Sequence, residues 1–88
     1  MYFIALIKFK KKPNKAFIAE TQRLFDADTK EGNKFLGIYW TLGRYDAVAL
    51  YEAPSEKAAM KAAMVRAELM DIETLVAIPR DEVKKFVD

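Results

Sequence analysis

Apolar positions along this chain fall into two kinds of run. Some are short and apolar at nearly every position. Others are longer, with an apolar stripe at every third or fourth residue. Tyr2 to Phe9 is the first short run. Its odd positions, Phe3, Ala5, Ile7 and Phe9, are all apolar, and its even positions stay apolar until Lys8, which predicts a strand with two sides to cover. The stretch from Lys10 to Lys15 is punctuated by Pro13 and Asn14 and reads as a loop. From about Lys15 to about Lys30 the stripe changes to helical spacing, with Phe17, Ile18, Thr21, Leu24, Phe25 and Asp28 near one side. Gly32 then suits the left-handed residue that ends a helix.

The stretch Gly37 to Pro54, GIYWTLGRYDAVALYEAP, holds two further strands, Ile38 to Leu42 and Tyr45 to Ala53. Only Gly43 and Arg44 separate them, and Gly at the first position of a two-residue loop fits a type II′ hairpin turn. That register sets Trp40 opposite Ala47, Ile38 opposite Ala49 and Leu36 opposite Tyr51 on one face. It sets Thr41 opposite Asp46, Tyr39 opposite Val48 and Gly37 opposite Leu50 on the other. Both faces are mostly apolar, so both need cover.

Pro54 ends the hairpin and Ser55 is a candidate N-cap for a second helix running to about Met70. Ala59, Ala63 and Ala67 form a row of small residues that suits close packing on a sheet. Ile72 to Ile78 is a fourth strand, closed by Pro79, and Arg80 to Asp88 reads as a short amphipathic tail. The order β-α-β-β-α-β, then a tail helix, predicts one α+β domain over residues 1–88 with the ferredoxin-like pattern. Right-handed crossovers put both helices on one face of a four-stranded antiparallel sheet. The other face then carries Tyr2, Ile4, Leu6, Tyr39, Val48 and Leu50, each apolar side chain worth about 1.5–3 kcal/mol when buried. A second copy of the same sheet is the simplest cover, so a face-to-face homodimer, or a higher assembly, is expected.

Composition narrows the chemistry. With 15 basic and 13 acidic residues the net charge is +2, which makes no argument for nucleic acid. The basic run Lys8 to Lys15 has no aromatic on its loop portion and reads as a solvated loop. Cys and His are absent, which removes thiol chemistry, the commonest metal ligand, the usual neutral-pH base and a proximal haem histidine. No metal or cofactor is expected. The apolar start is too short to span a membrane and has no basic segment before it, so the expected place is the cytoplasm, with no membrane partner. Scarce Asn and Gln with frequent Lys and Glu are compatible with a thermophilic source.

Among candidate site residues, Asp46 comes first. A carboxylate at the mouth of an apolar pocket can act as a base or an anchor. The competing reading is that it caps the hairpin by bonding the turn. Tyr39 and Thr41 share its predicted face, and Tyr2 and Lys8 lie on the same face of the first strand. Trp40 and Tyr45 are expected on the helix-facing side as core anchors.

The hairpin also resembles the GYD-domain family, through Gly43-Arg44-Tyr45-Asp46, the preceding Tyr39-Trp40-Thr41-Leu42 and the following Glu52-Ala53-Pro54. Glu73-Thr74-Leu75 and Asp81-Glu82 resemble the family's end, so the likeness covers about Gly32 to Glu82. It implies a dimeric α+β barrel. Similar barrels include cofactor-free monooxygenases, haem enzymes, lactone isomerases and ligand domains of transcription regulators, so the fold does not choose an activity. The first expectation is a homo-oligomer that binds a small, mostly apolar molecule between paired sheets, with Asp46, Thr41 and Tyr39 as its polar end. The rivals are a cofactor-free enzyme, monooxygenase- or isomerase-like, using Asp46 as base, and a structural module whose open face is filled by its partner.

Overall fold

The computed structural model describes residues 1–87, and Asp88, the last residue of the predicted tail, lies outside the described residues. The chain runs β1 (Tyr2–Phe9), α1 (Lys15–Lys30), β2 (Lys34–Trp40), β3 (Ala47–Glu52), α2 (Glu56–Met64) and β4 (Met70–Ala77). A short α3 (Arg80–Val83) and a 3-10 turn, Lys84–Phe86, follow. The strands form one antiparallel sheet in the order β2-β3-β1-β4. This is the ferredoxin-like arrangement.

Local chemistry sets the element ends. The Asn14 side chain accepts the Phe17 amide at 2.9 Å and starts α1. Gly32, with φ +94°, follows the end of α1 in the left-handed region. Ser55 caps α2 as its sequence predicts, accepting the Ala58 amide at 3.2 Å. α2 is shorter than its helical pattern. After Met64 the chain tightens, with Arg66 N–H donating to the Ala63 carbonyl and Ala67 N–H to Met64, both at 3.2 Å. The tightening brings Met70 beside Phe9, so β4 starts two residues before the predicted Ile72.

The sheet's two sides differ. Toward the helices the rows read Trp40–Ala47–Ile7–Ile72, then Ile38–Ala49–Ala5–Thr74, then Phe35–Tyr51–Phe3–Val76. Phe3, Ala5, Ala47, Ala49 and Tyr51 are buried there, with Phe17 and Leu24 of α1 and Ala59 and Ala62 of α2. The buried helix row is therefore Ala59, Ala62 and Arg66, whereas Ala67 is exposed. The open side reads Tyr39–Val48–Leu6–Glu73, then Gly37–Leu50–Ile4–Leu75.

Two details of the hairpin correct the sequence reading. Register holds from Gly37 to Trp40, but an irregularity between Phe35 and Gly37 pairs Phe35, not Leu36, with Tyr51. The connection is also longer than two residues. β2 stops at Trp40 and β3 starts at Ala47, and the loop is closed by Thr41 N–H donating to the Asp46 carbonyl at 2.8 Å. Gly43 still has positive φ, +104°.

Candidate functional site

Alanines make a hollow. Ala5, Ala47 and Ala49 stand at the sheet's centre, and Ala62 and Ala63 of α2 face the same space. Larger neighbours hold the walls apart, leaving a cavity of about 70 Å³ between sheet and helices. One end is aromatic. Phe9 packs edge-on against Phe17 at 4.9 Å between centroids and against Trp40 at 5.1 Å. Trp40 is 54% exposed, and with Phe9 it also borders an outer cleft shared with Thr41, Leu42 and Asp46. Phe9 and Trp40 thus stand between the cavity and this cleft.

The other end is polar and built around Arg66. Its guanidinium donates to the Ala62 carbonyl at 2.8 Å and to the Asp28 carboxylate of α1. It also lies 5.1 Å from the Phe25 ring centroid. These contacts hold it at the cavity wall while using two of a guanidinium's five N–H donors. Tyr51 and Thr74 stand beside it in the lining. Burial pushes the Tyr51 phenol above its ordinary value, while the charge of Arg66 and the Thr74 hydroxyl pull it back. Such an end, where Arg66 and Tyr51 are buried and Thr74 is exposed, can hold an oxygen acceptor by hydrogen bonds.

A sequence pattern described as the GYD domain matches residues 3–87. The chain belongs to the GYD-domain family. The match includes the first strand and helix, beyond the hairpin and the end that suggested the likeness. No curated protein matches the chain.

In this GYD domain the signature region builds the end of the sheet. Gly43 supplies the positive φ. Tyr45 reaches across the open face, its hydroxyl 3.4 Å from a Glu73 carboxylate oxygen, and so is not the helix-side anchor that a two-residue turn requires. The Asp46 amide donates to the Ile7 carbonyl, and an Asp46 carboxylate oxygen accepts the Phe9 amide, both at 2.8 Å. The carboxylate stands in for the backbone carbonyl that β3 lacks beyond Ala47. Trp40 is on the helix side, as the pattern predicts.

The other candidates scatter. The Thr41 hydroxyl donates to the Tyr45 carbonyl at 2.8 Å, inside the loop. Tyr39 lies on the open face, its ring folded over Gly37 so closely that a Cβ there would meet it at 2.9 Å. Lys8 is exposed at one end of β1, and Tyr2 is at the other, roughly 20 Å away by strand rise. The Glu52 carboxylate, hydrogen-bonded to the Tyr2 hydroxyl, pushes that phenol up. Tyr39, Thr41, Asp46, Tyr2 and Lys8 therefore do not converge on one enclosed space in a single chain.

The sequence reading missed Arg66, Tyr51 and Thr74 altogether. The signal available for Arg66 was its spacing, seven residues after Ala59 and four after Ala62, on the buried row of α2. Among the described residues no group of His, Cys, Asp and Glu is placed to hold a metal ion. No helix among them is long and apolar enough to cross a membrane.

Proposed function

We propose that this GYD domain binds a small, mostly apolar molecule in the sheet–helix cavity, and that it works as a homo-oligomer paired through its open sheet face. The observation that carries the reading is the cavity itself, apolar for most of its lining, polar at one end and bordered by a half-exposed tryptophan at the other. Ligand sites of proteins combine these features. We assign the ligand to this side of the sheet because the enclosed space lies here, whereas Ile4, Leu6, Val48, Leu50 and Leu75 on the open side are bulky enough to interdigitate with a second copy. Two sheets packed that way fill their interface with side chains.

Asp46 is not in the cavity lining and commits one carboxylate oxygen to the Phe9 amide, which argues against its acting as a base on a ligand held there. Native mass spectrometry, taken from gentle to denaturing conditions, tests both parts. The expected result is a multimer carrying extra mass that leaves on denaturation. A clean multimer that takes up no small apolar probe would remove the binding part. A monomer would remove the pairing part.

A further inference from the structure

Resting on the reading of the cavity as a ligand site, we infer that its occupant is a compact neutral molecule with one oxygen acceptor, a ketone or an alcohol, held by Arg66 with Tyr51 and Thr74 alongside. Three observations lead there. First, the charge at the polar end is already balanced. The Arg66 and Asp28 side chains are 6% and 5% exposed and pair with each other. A carboxylate or phosphate would bring a second negative charge close to Asp28 with no second cation to meet it. Among the described residues no other basic side chain lines the cavity. A buried charge without a partner is costly, whereas a neutral oxygen needs only a donor.

Second, donors are in excess. Arg66 gives one N–H to Ala62 and one to Asp28, which leaves donor capacity at the wall. Tyr51 and Thr74 add hydroxyls to the same lining. A purely hydrocarbon occupant would leave the remaining Arg66 donors facing apolar surface.

Third, size restricts the rest of the molecule. An engineered cavity of about 150 Å³ takes benzene. At about 70 Å³ this one is about half that size and suits a molecule smaller than benzene, such as a short branched chain. The remaining walls, from Ile7, Phe17, Ile38 and Ile72, offer only apolar contact.

The test uses three small probes of one shape: acetone, 2-methylpropene and acetate. Binding is read from the fluorescence of Trp40, the single tryptophan, and from amide shifts in NMR spectra. Acetone is expected to bind at least tenfold more tightly than acetate. Tyr51→Phe and Thr74→Val are each expected to weaken acetone about two- to tenfold, the size of one hydrogen bond, and to leave 2-methylpropene unchanged. Both variants remove one hydroxyl and keep the volume, and melting curves verify that they fold. The inference is overturned if the carboxylate binds more tightly than the ketone, or if both variants treat ketone and hydrocarbon alike. In those cases the cavity remains a ligand site of other chemistry. If none of the three probes binds, the cavity reading itself fails and the inference falls with it.

Discussion

Arg66, on the turn after α2, donates a hydrogen bond to Asp28, on the last turn of α1, and both side chains are almost wholly inside the domain. The pair ties the end of α1 to the turn after α2 from inside the domain, where the other link between the two helices, Lys61 with Glu31, is exposed. Removing one member strands the other. Asp28→Leu is expected to cost about 3–5 kcal/mol, a drop in melting temperature of roughly 15 °C or more for a domain this small. The double variant Asp28→Leu/Arg66→Met should recover most of that loss. Thermal denaturation by circular dichroism measures both, and a harmless single variant would show that the pair is not buried in solution.

Asp46 should behave as a strand cap. Asp46→Asn keeps an oxygen for the Phe9 amide and is expected to melt close to the unaltered protein. Asp46→Ala leaves that amide without its acceptor, at a cost of about 1–3 kcal/mol. Denaturant unfolding at neutral pH separates the two. A large effect of the Asn variant on ligand uptake with no change in melting would instead favour the base or anchor role.

Tyr51 makes stability depend on alkaline pH. Its folded phenol titrates above the ordinary value of 10.0. The unfolded chain therefore loses this proton first as pH rises. The stabilisation is complete below pH 10, and falls as pH climbs from there through the folded value. Tyr51→Phe should flatten this part of the profile relative to the unaltered protein. Stability curves from pH 8 upward, in urea, would read the difference.

Pairing through the open face is vulnerable at Leu50, which is 38% exposed in the single chain and lies in the row Gly37–Leu50–Ile4–Leu75. A lysine there would place two charges at the centre of a sheet-to-sheet contact. Leu50→Lys is expected to shift the protein to monomers in sedimentation or native mass measurements, while its melting curve stays cooperative. An unchanged assembly would mean that another surface holds the copies together.

Much of the architecture could be read from pattern alone. The order of elements, the sheet face of Trp40, Ala47 and Ala49 and the Ser55 cap depend on residues close in sequence, where period and turn chemistry speak directly. The loop length could not be read in the same way. Gly43 has positive φ in the observed loop as it would in a two-residue turn, so the glycine signal fits both. The choice was made by Thr41 and Asp46 closing the loop further back. With that closure Tyr45 left the helix side and reached Glu73. Asp28 and Arg66 are thirty-eight residues apart, and no local rule links them. A charged residue on a helix is solvated by default, and although each falls in line with the buried side of its own segment, their pairing becomes visible only when both helices are in place. The cavity was hidden for a related reason. It is a sum of short side chains from separate elements, and each alanine by itself reads only as packing.

Those alanines make capacity adjustable. Ala5, Ala47 and Ala49 on the sheet and Ala62 and Ala63 on α2 each end in one methyl group at the hollow. Enlarging any of them fills space without touching a backbone hydrogen bond, since the strand ladder and the helix ladder are made by main-chain atoms. The shape of the interior can therefore drift while the topology stays fixed. Two members of such a family could share every strand pairing and still admit different guests, one methyl group at a time.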